Sequence, residues 1–193
     1  DPSVLFSSYL RKPKLNMDEF NLFMSKCNNL ECTNSFGDQL IHYACIYINL
    51  ELVKILVEKS ANVNCADKYD WRPIHYACNY GNESLELVKF LVENGADINC
   101  VDGNGQQPIH HACNGGYSLE LVKYLVENGA DVNCADRYGS RPIHHACYKD
   151  DKSLELVKYL IENGADINVK TNKGKLPSDL TNNEAILQLL RKN

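Results

Sequence analysis

The side chains best equipped for chemistry in this sequence are its six histidines and nine cysteines. His42, His75, His110 and His144 each stand inside a short word, IHYAC or IHHAC, and His111 and His145 follow two of them directly. Imidazole and thiol together can bind a metal, or act as base and nucleophile. The spacing argues against both uses. Adjacent helical residues point in different directions, so the two His-His pairs are poor metal ligands compared with the four-residue spacing of HExxH. A nucleophile occurs once in an enzyme, whereas cysteine and histidine recur together here in every copy of the word. No CxxC pair, GxSxG elbow, P-loop or HExxH is present, so no catalytic residue, metal or cofactor is expected and the chain is not expected to be an enzyme.

The cysteines follow the same rhythm. Cys45, Cys78, Cys113 and Cys147 close the histidine word, and Cys32, Cys65, Cys100 and Cys134 follow Asn or Glu, with Cys27 alone. An odd number cannot pair completely, and thiols copied with a repeat unit behave as small buried apolar residues in a reducing compartment. A cytoplasmic location, or a nuclear one, is the expectation.

Behind the histidine word lies a larger period. The word LELVKxL[VI]E starts at Leu50, Leu85, Leu119 and Leu154. The distance from its glutamate to the next signature histidine is constant: Glu51 to His75, Glu86 to His110, Glu120 to His144, and once more Glu155 to Asp179 in a degenerate copy. All variation in period falls between the two words, as in IYIN against NYGNES, which marks a short loop beside a packed unit. Proline opens the first word in three copies, suiting a first helical turn, and Leu85, Val88, Leu91 and Val92 share a helical face in the second. Glu86–Lys89 and Lys89–Glu93 are paired on the outer face. Asn94-Gly95 then supplies a left-handed stop before a tight link.

Composition fits one soluble globular domain, with 44% hydrophobic and 23% charged residues. The net charge of −5 disfavours generic nucleic-acid or membrane-surface binding. No apolar run approaches the roughly 20 residues of a membrane span, and no signal segment opens the chain. The chain begins at Asp1 rather than methionine, so it is expected to be a piece of a longer polypeptide.

RPIHYAC and LVENGADINC resemble the ankyrin repeat, whose TPLHxA signature and 33-residue period they approach, with Arg72, Gln107 or Arg141 in place of threonine and Leu40 in place of the first proline. The resemblance covers roughly residues 34 to 193. It implies an all-α ankyrin-repeat solenoid of stacked helix-turn-helix units with hairpin-like inter-repeat fingers. A single domain over 1–193 would comprise a degenerate N-terminal cap at 1–33, repeats at 34–66, 67–101, 102–135 and 136–170, and a C-terminal cap repeat at 171–193. It also implies that His42, His75, His110 and His144 hold a structural hydrogen bond between turn and helix.

The family's ligands generally meet the fingers and first helices on the concave face. Aligned to that pattern, the partner-binding residues are Phe36, Tyr47, Lys68, Tyr69, Trp71, Arg72, Tyr80, Asn104, Gln106, Arg137, Tyr138, Arg141 and Tyr148. Aromatics gathered at finger positions have the composition of interface anchors. Lys68, Arg72, Arg137, Arg141, Lys173 and Lys175 against Asp38 and Asp70 make that face weakly basic. The resemblance thus implies a protein-interaction scaffold, monomeric, taking another protein or an acidic or phosphorylated peptide. Two rival readings are nucleotide or single-stranded nucleic acid stacked on Trp71 and Tyr69, and an intramolecular regulatory module of a larger protein. The pattern LxxxxxD[IV]N, ending at Asn99, Asn133 and Asn168, resembles the site at which some ankyrin domains are hydroxylated on asparagine. Its alternative reading is turn chemistry in which the asparagine satisfies backbone groups.

Overall fold

The structure is a computed structural model and describes residues 30–79, 81–114, 118–148 and 153–192. Tyr80 and most of the 1–33 cap lie outside the described residues. Among the described residues the regular elements are α-helices and two 3-10 turns, with no strand. They divide into two compact units. One reaches to Ala77 and includes Glu86–Asp97; the other holds Cys78–Leu85 and continues from Ile98.

The first unit contains α1 (Leu40–Ile46), α2 (Leu50–Glu58), and all but one terminal residue each of α3 (Pro73–Cys78) and α4 (Leu85–Glu93). Two turns of helix are too short to persist alone, so packing must hold them. Ile41, Ala44 and Cys45 of α1 are buried, as are Leu52, Val53 and Leu56 of α2, and the two helices pack together. In α4 the buried residues are Leu87, Val88 and Leu91, whereas Leu85 and Val92 remain half-exposed. The inward face is therefore rotated from the one the spacing suggests. Lys89 meets Glu86 at 2.8 Å on the outer face.

The second unit contains α5 (Pro108–Asn114), α6 (Leu119–Glu127), α7 (Pro142–Cys147), α8 (Leu154–Glu162) and α9 (Glu184–Lys192), with 3-10 turns at Gly81–Ser84 and Pro177–Leu180. Here α5 packs on α6 and α7, and α8 packs on α6, α7 and α9. Ser118 caps α6, its hydroxyl accepting from the Leu121 N–H at 3.0 Å, and Glu120 pairs with Lys123 one turn along. Leu121, Val122 and Leu125 then face inward with no solvent exposure. Burying each such side chain contributes about 1.5–3 kcal/mol. The Asn-Gly stops hold, with Gly129 and Gly164 at positive φ.

Between the helix pairs stand the fingers. In each, an N–H at the base donates to a carbonyl four residues on: Asn34 to Asp38, Asp67 to Trp71, Asp102 to Gln106, Asp136 to Ser140, and Thr171 to Lys175. Fingers also bond sideways. Lys68 N–H donates to the Phe36 carbonyl in the first unit; Arg137 N–H to Asn104 and Asn172 N–H to Tyr138 do so in the second. At Gly139 φ is +70° and a Cβ would lie 3.0 Å from the Asn172 backbone nitrogen, a turn and an approach that favour glycine.

Candidate partner-binding site

The signature histidine is a cap. Nδ1 of His42, His75, His110 and His144 accepts the backbone N–H three residues earlier, on Gln39, Arg72, Gln107 and Arg141, at 2.9–3.0 Å. In the degenerate copy Asp179 Oδ2 accepts from the Leu176 N–H at 2.9 Å, taking the histidine's place. With Nδ1 accepting, the proton sits on Nε2. It lies 3.1 Å from the Cys65 carbonyl in His42 and 3.3 Å from the Ser140 carbonyl in His110. In His144, Nε2 is buried against the backbone of Val169 and Lys175.

The residue after that histidine reaches the finger base, nine positions earlier in the chain. Asn34 donates to the Tyr43 hydroxyl at 2.6 Å and the Tyr76 hydroxyl donates to Asp67 at 2.6 Å in the first unit. In the second, His111 Nε2 lies 3.1 Å from Asp102 Oδ2 and His145 Nε2 lies 3.6 Å from Asp136 Oδ2. Asp136 Oδ1 also accepts from the N–H groups of Tyr138 and Ser140, at 2.9 and 2.8 Å. Burial alone would push the Asp136 carboxyl up; the His145 contact, these two N–H groups and Gln106 outweigh it and hold it below its usual value. Asp102 is held down in the same way, its burial outweighed by His111, Gln106 and Asn104.

These fingers and first helices enclose a groove of about 460 Å³ in the second unit. Asp136, Tyr138 and Ser140 line it from one finger and Thr171, Lys173 and Lys175 from the next. Asn114, His144, His145 and Tyr148 come from α5, α7 and its C-terminal end, with Gln106 and Leu180 at the margins. Tyr138 is 58% and Tyr148 70% exposed. Lys173 and Lys175 make no ion pair among the described residues.

Of the residues expected to bind, Gln106, Tyr138 and Tyr148 therefore meet in one groove. Asn104 and Arg137 are exposed on the neighbouring fingers. Arg141 is half-buried, its Nη1 3.5 Å from Asp166 and 3.3 Å from Asn133 Oδ1. In the first unit Phe36, Tyr47, Lys68 and Tyr69 are exposed, and Lys68 Nζ donates to the Ser35 carbonyl. Trp71 is half-buried, its ring 4.8 Å from Tyr76 and 6.0 Å from His75, while Arg72 approaches Asp97 at 3.7 Å. The histidines of the wall and Asp136 escaped the sequence reading as site residues. Their recurring nine-residue spacing was the signal.

Asn99 and Asn133 of the LxxxxxD[IV]N pattern bridge successive links. Asn133 donates through Nδ2 to the Gly164 carbonyl at 2.8 Å and accepts at Oδ1 from the Asp166 N–H at 2.9 Å. Asn99 donates to the Gly129 carbonyl at 3.1 Å, and Asn168 is exposed with its N–H on Asp166. The thiols Cys45, Cys65, Cys78, Cys100, Cys113, Cys134 and Cys147 are buried and unbridged. Burial raises Cys65, Cys134 and Cys147 to about 12. Among the described residues no group of histidine, cysteine, aspartate and glutamate is arranged to hold a metal, and no helix is long and apolar enough to cross a membrane.

No curated protein matches the chain. The family model "Ankyrin repeats (3 copies)" matches residues 14–102 and again 82–171. Among the described residues the signature histidines cap their helices, fingers within each unit bond sideways, and helices make up the regular structure. With the fold an all-α repeat solenoid and the match running over most of its length, the chain belongs to the ankyrin-repeat family.

Proposed function

We propose that this chain is a protein-interaction scaffold that holds a segment of a partner protein in the groove of the second unit. Ankyrin repeats are in general protein–protein interaction modules, and the groove is the place where this chain offers shape and chemistry together. One observation carries the reading: two largely exposed tyrosines, Tyr138 and Tyr148, border the same concavity as Gln106 and Ser140. Tyrosine supplies contact area at small entropic cost and keeps a hydroxyl for polar partners, which is the profile of an anchor.

The exposed Phe36, Tyr47, Lys68 and Tyr69 of the first unit, with Trp71 and Arg72 beside them, extend the reading to a second contact surface. Tyr80 belongs to the same proposal on its sequence position alone. A monomeric domain spanning the chain and a reducing, cytoplasmic setting complete it; the buried, unbridged thiols support the latter. Asn99, Asn133 and Asn168 remain the proposed positions for hydroxylation.

The test is capture of partners by the wild type and by a Tyr138→Ala/Tyr148→Ala variant, followed by calorimetry with the purified partner. Both side chains are exposed, so the variant should melt as the wild type does. Its affinity should fall by about tenfold or more, as for lost anchors. Equal affinity for wild type and variant would remove the groove from the account.

A further inference from the structure

We propose that the segment the second-unit groove accepts is acidic, its carboxylates met by Lys173 and Lys175. This rests on the groove being the binding site and adds the chemistry of the occupant.

Charge is the first argument. The chain as a whole carries −5, yet Lys173 and Lys175 line the groove with no ion pair among the described residues. Among the described residues the wall holds one carboxylate, and it is not open to a ligand. The Asp136 side chain is 1% exposed, and its oxygens are taken by Tyr138 N–H, Ser140 N–H, Gln106 Nε2 and the facing His145. A ligand approaching the rim therefore meets the lysines and not the aspartate.

Aromatic surface stands beside the lysines. Tyr138 and Tyr148 are largely exposed and line the same groove as Lys173 and Lys175. An acidic segment can lay its apolar stems on these rings while its carboxylates reach the two ammonium groups.

The lining favours carboxylate over a phosphate fork. Among the described residues no arginine lines the groove, and Arg141 is directed to Asp166 and Asn133. Bidentate phosphate recognition favours arginine, whereas paired lysines act as point charges that suit spaced carboxylates. Tyr138 and Tyr148 would cover the backbone and apolar stems between those acids.

The experiment uses the whole chain and two labelled pools of short random peptides. They are identical except that fixed positions carry glutamate in one and glutamine in the other. An oligothymidylate of equal charge is a third probe. Fluorescence anisotropy at low salt should show the glutamate pool binding about tenfold more tightly than the glutamine pool, with the gap closing in Lys173→Gln/Lys175→Gln. Equal binding of both pools, lost in Tyr148→Ser, would overturn the acidic assignment and leave the groove standing. Binding of neither pool, or binding indifferent to all these variants, would overturn both. Oligothymidylate binding more tightly than the glutamate pool, with the same lysine dependence, would reassign the site to nucleic acid.

Discussion

Asn133 joins three groups at the link between repeats: the Gly164 carbonyl, the Asp166 N–H and Arg141 Nη1. Asn133→Ala should therefore lower stability by about 1–2 kcal/mol, read by urea denaturation. An unchanged midpoint would show these bonds to be exchanged freely with water. The buried histidines carry a different cost. Burial lowers His110 to about 4, helped by the neighbouring His145; the pull of Asp136 and the contact with the Ser140 carbonyl oppose it. His42 and His144 are lowered by burial too. Unfolded histidine takes its proton near 6.5, so between there and about 4 the unfolded chain binds protons that the folded chain refuses. Stability must fall as pH drops through that window. The depressed Asp102 and Asp136 act lower down, their contribution intact above the ordinary carboxylate range and lost as pH falls through their folded values. Denaturation at about pH 7 and about pH 5 should show the lower stability at the acid value, and equal stabilities would contradict the buried neutral imidazoles.

At the scale of elements, the copies that depart from the repeat are informative. Helices α4, α6 and α8 stop on glycine at positive φ, but α2 stops with Ser60 at φ 67° in the same place. A side chain there strains against its own carbonyl, and glycine does not. Ser60→Gly should raise the melting temperature by about 2–4 °C; a fall would mean that the hydroxyl is needed. Much of this level was legible in the sequence. Pro73, Pro108 and Pro142 open their helices where the words begin, and the constant distance from Glu155 led to Asp179, which caps a 3-10 turn as histidine caps the others. The inward face of α4 was less legible. Both Leu85 and Leu87 satisfy a helical stripe, and the covering neighbour decides between them. Trp71 was read as a fingertip aromatic, but its contact with Tyr76 depends on packing that periodicity does not encode. Asp136 and His145 were missed because a charged residue in a turn is usually solvated. Here two backbone N–H groups and an imidazole replace the water.

Across the molecule, repetition supplies the family and variation supplies the site. The buried positions repeat almost without change, as the fold needs, and the chemistry differs at the fingers. In the first unit tyrosine follows the signature histidine at 43 and 76; in the second a further histidine stands there at 111 and 145. Among the described residues, the groove of the second unit combines exposed tyrosines with lysines that make no ion pair. The central claim is that this groove holds the partner, and hydrogen–deuterium exchange of the chain with and without its purified partner tests it most directly. New protection is expected in the fingers at 136–140 and 171–175 and around His144 to Tyr148. Protection confined to the outer helices α6 and α8, with those fingers exchanging as before, would contradict it.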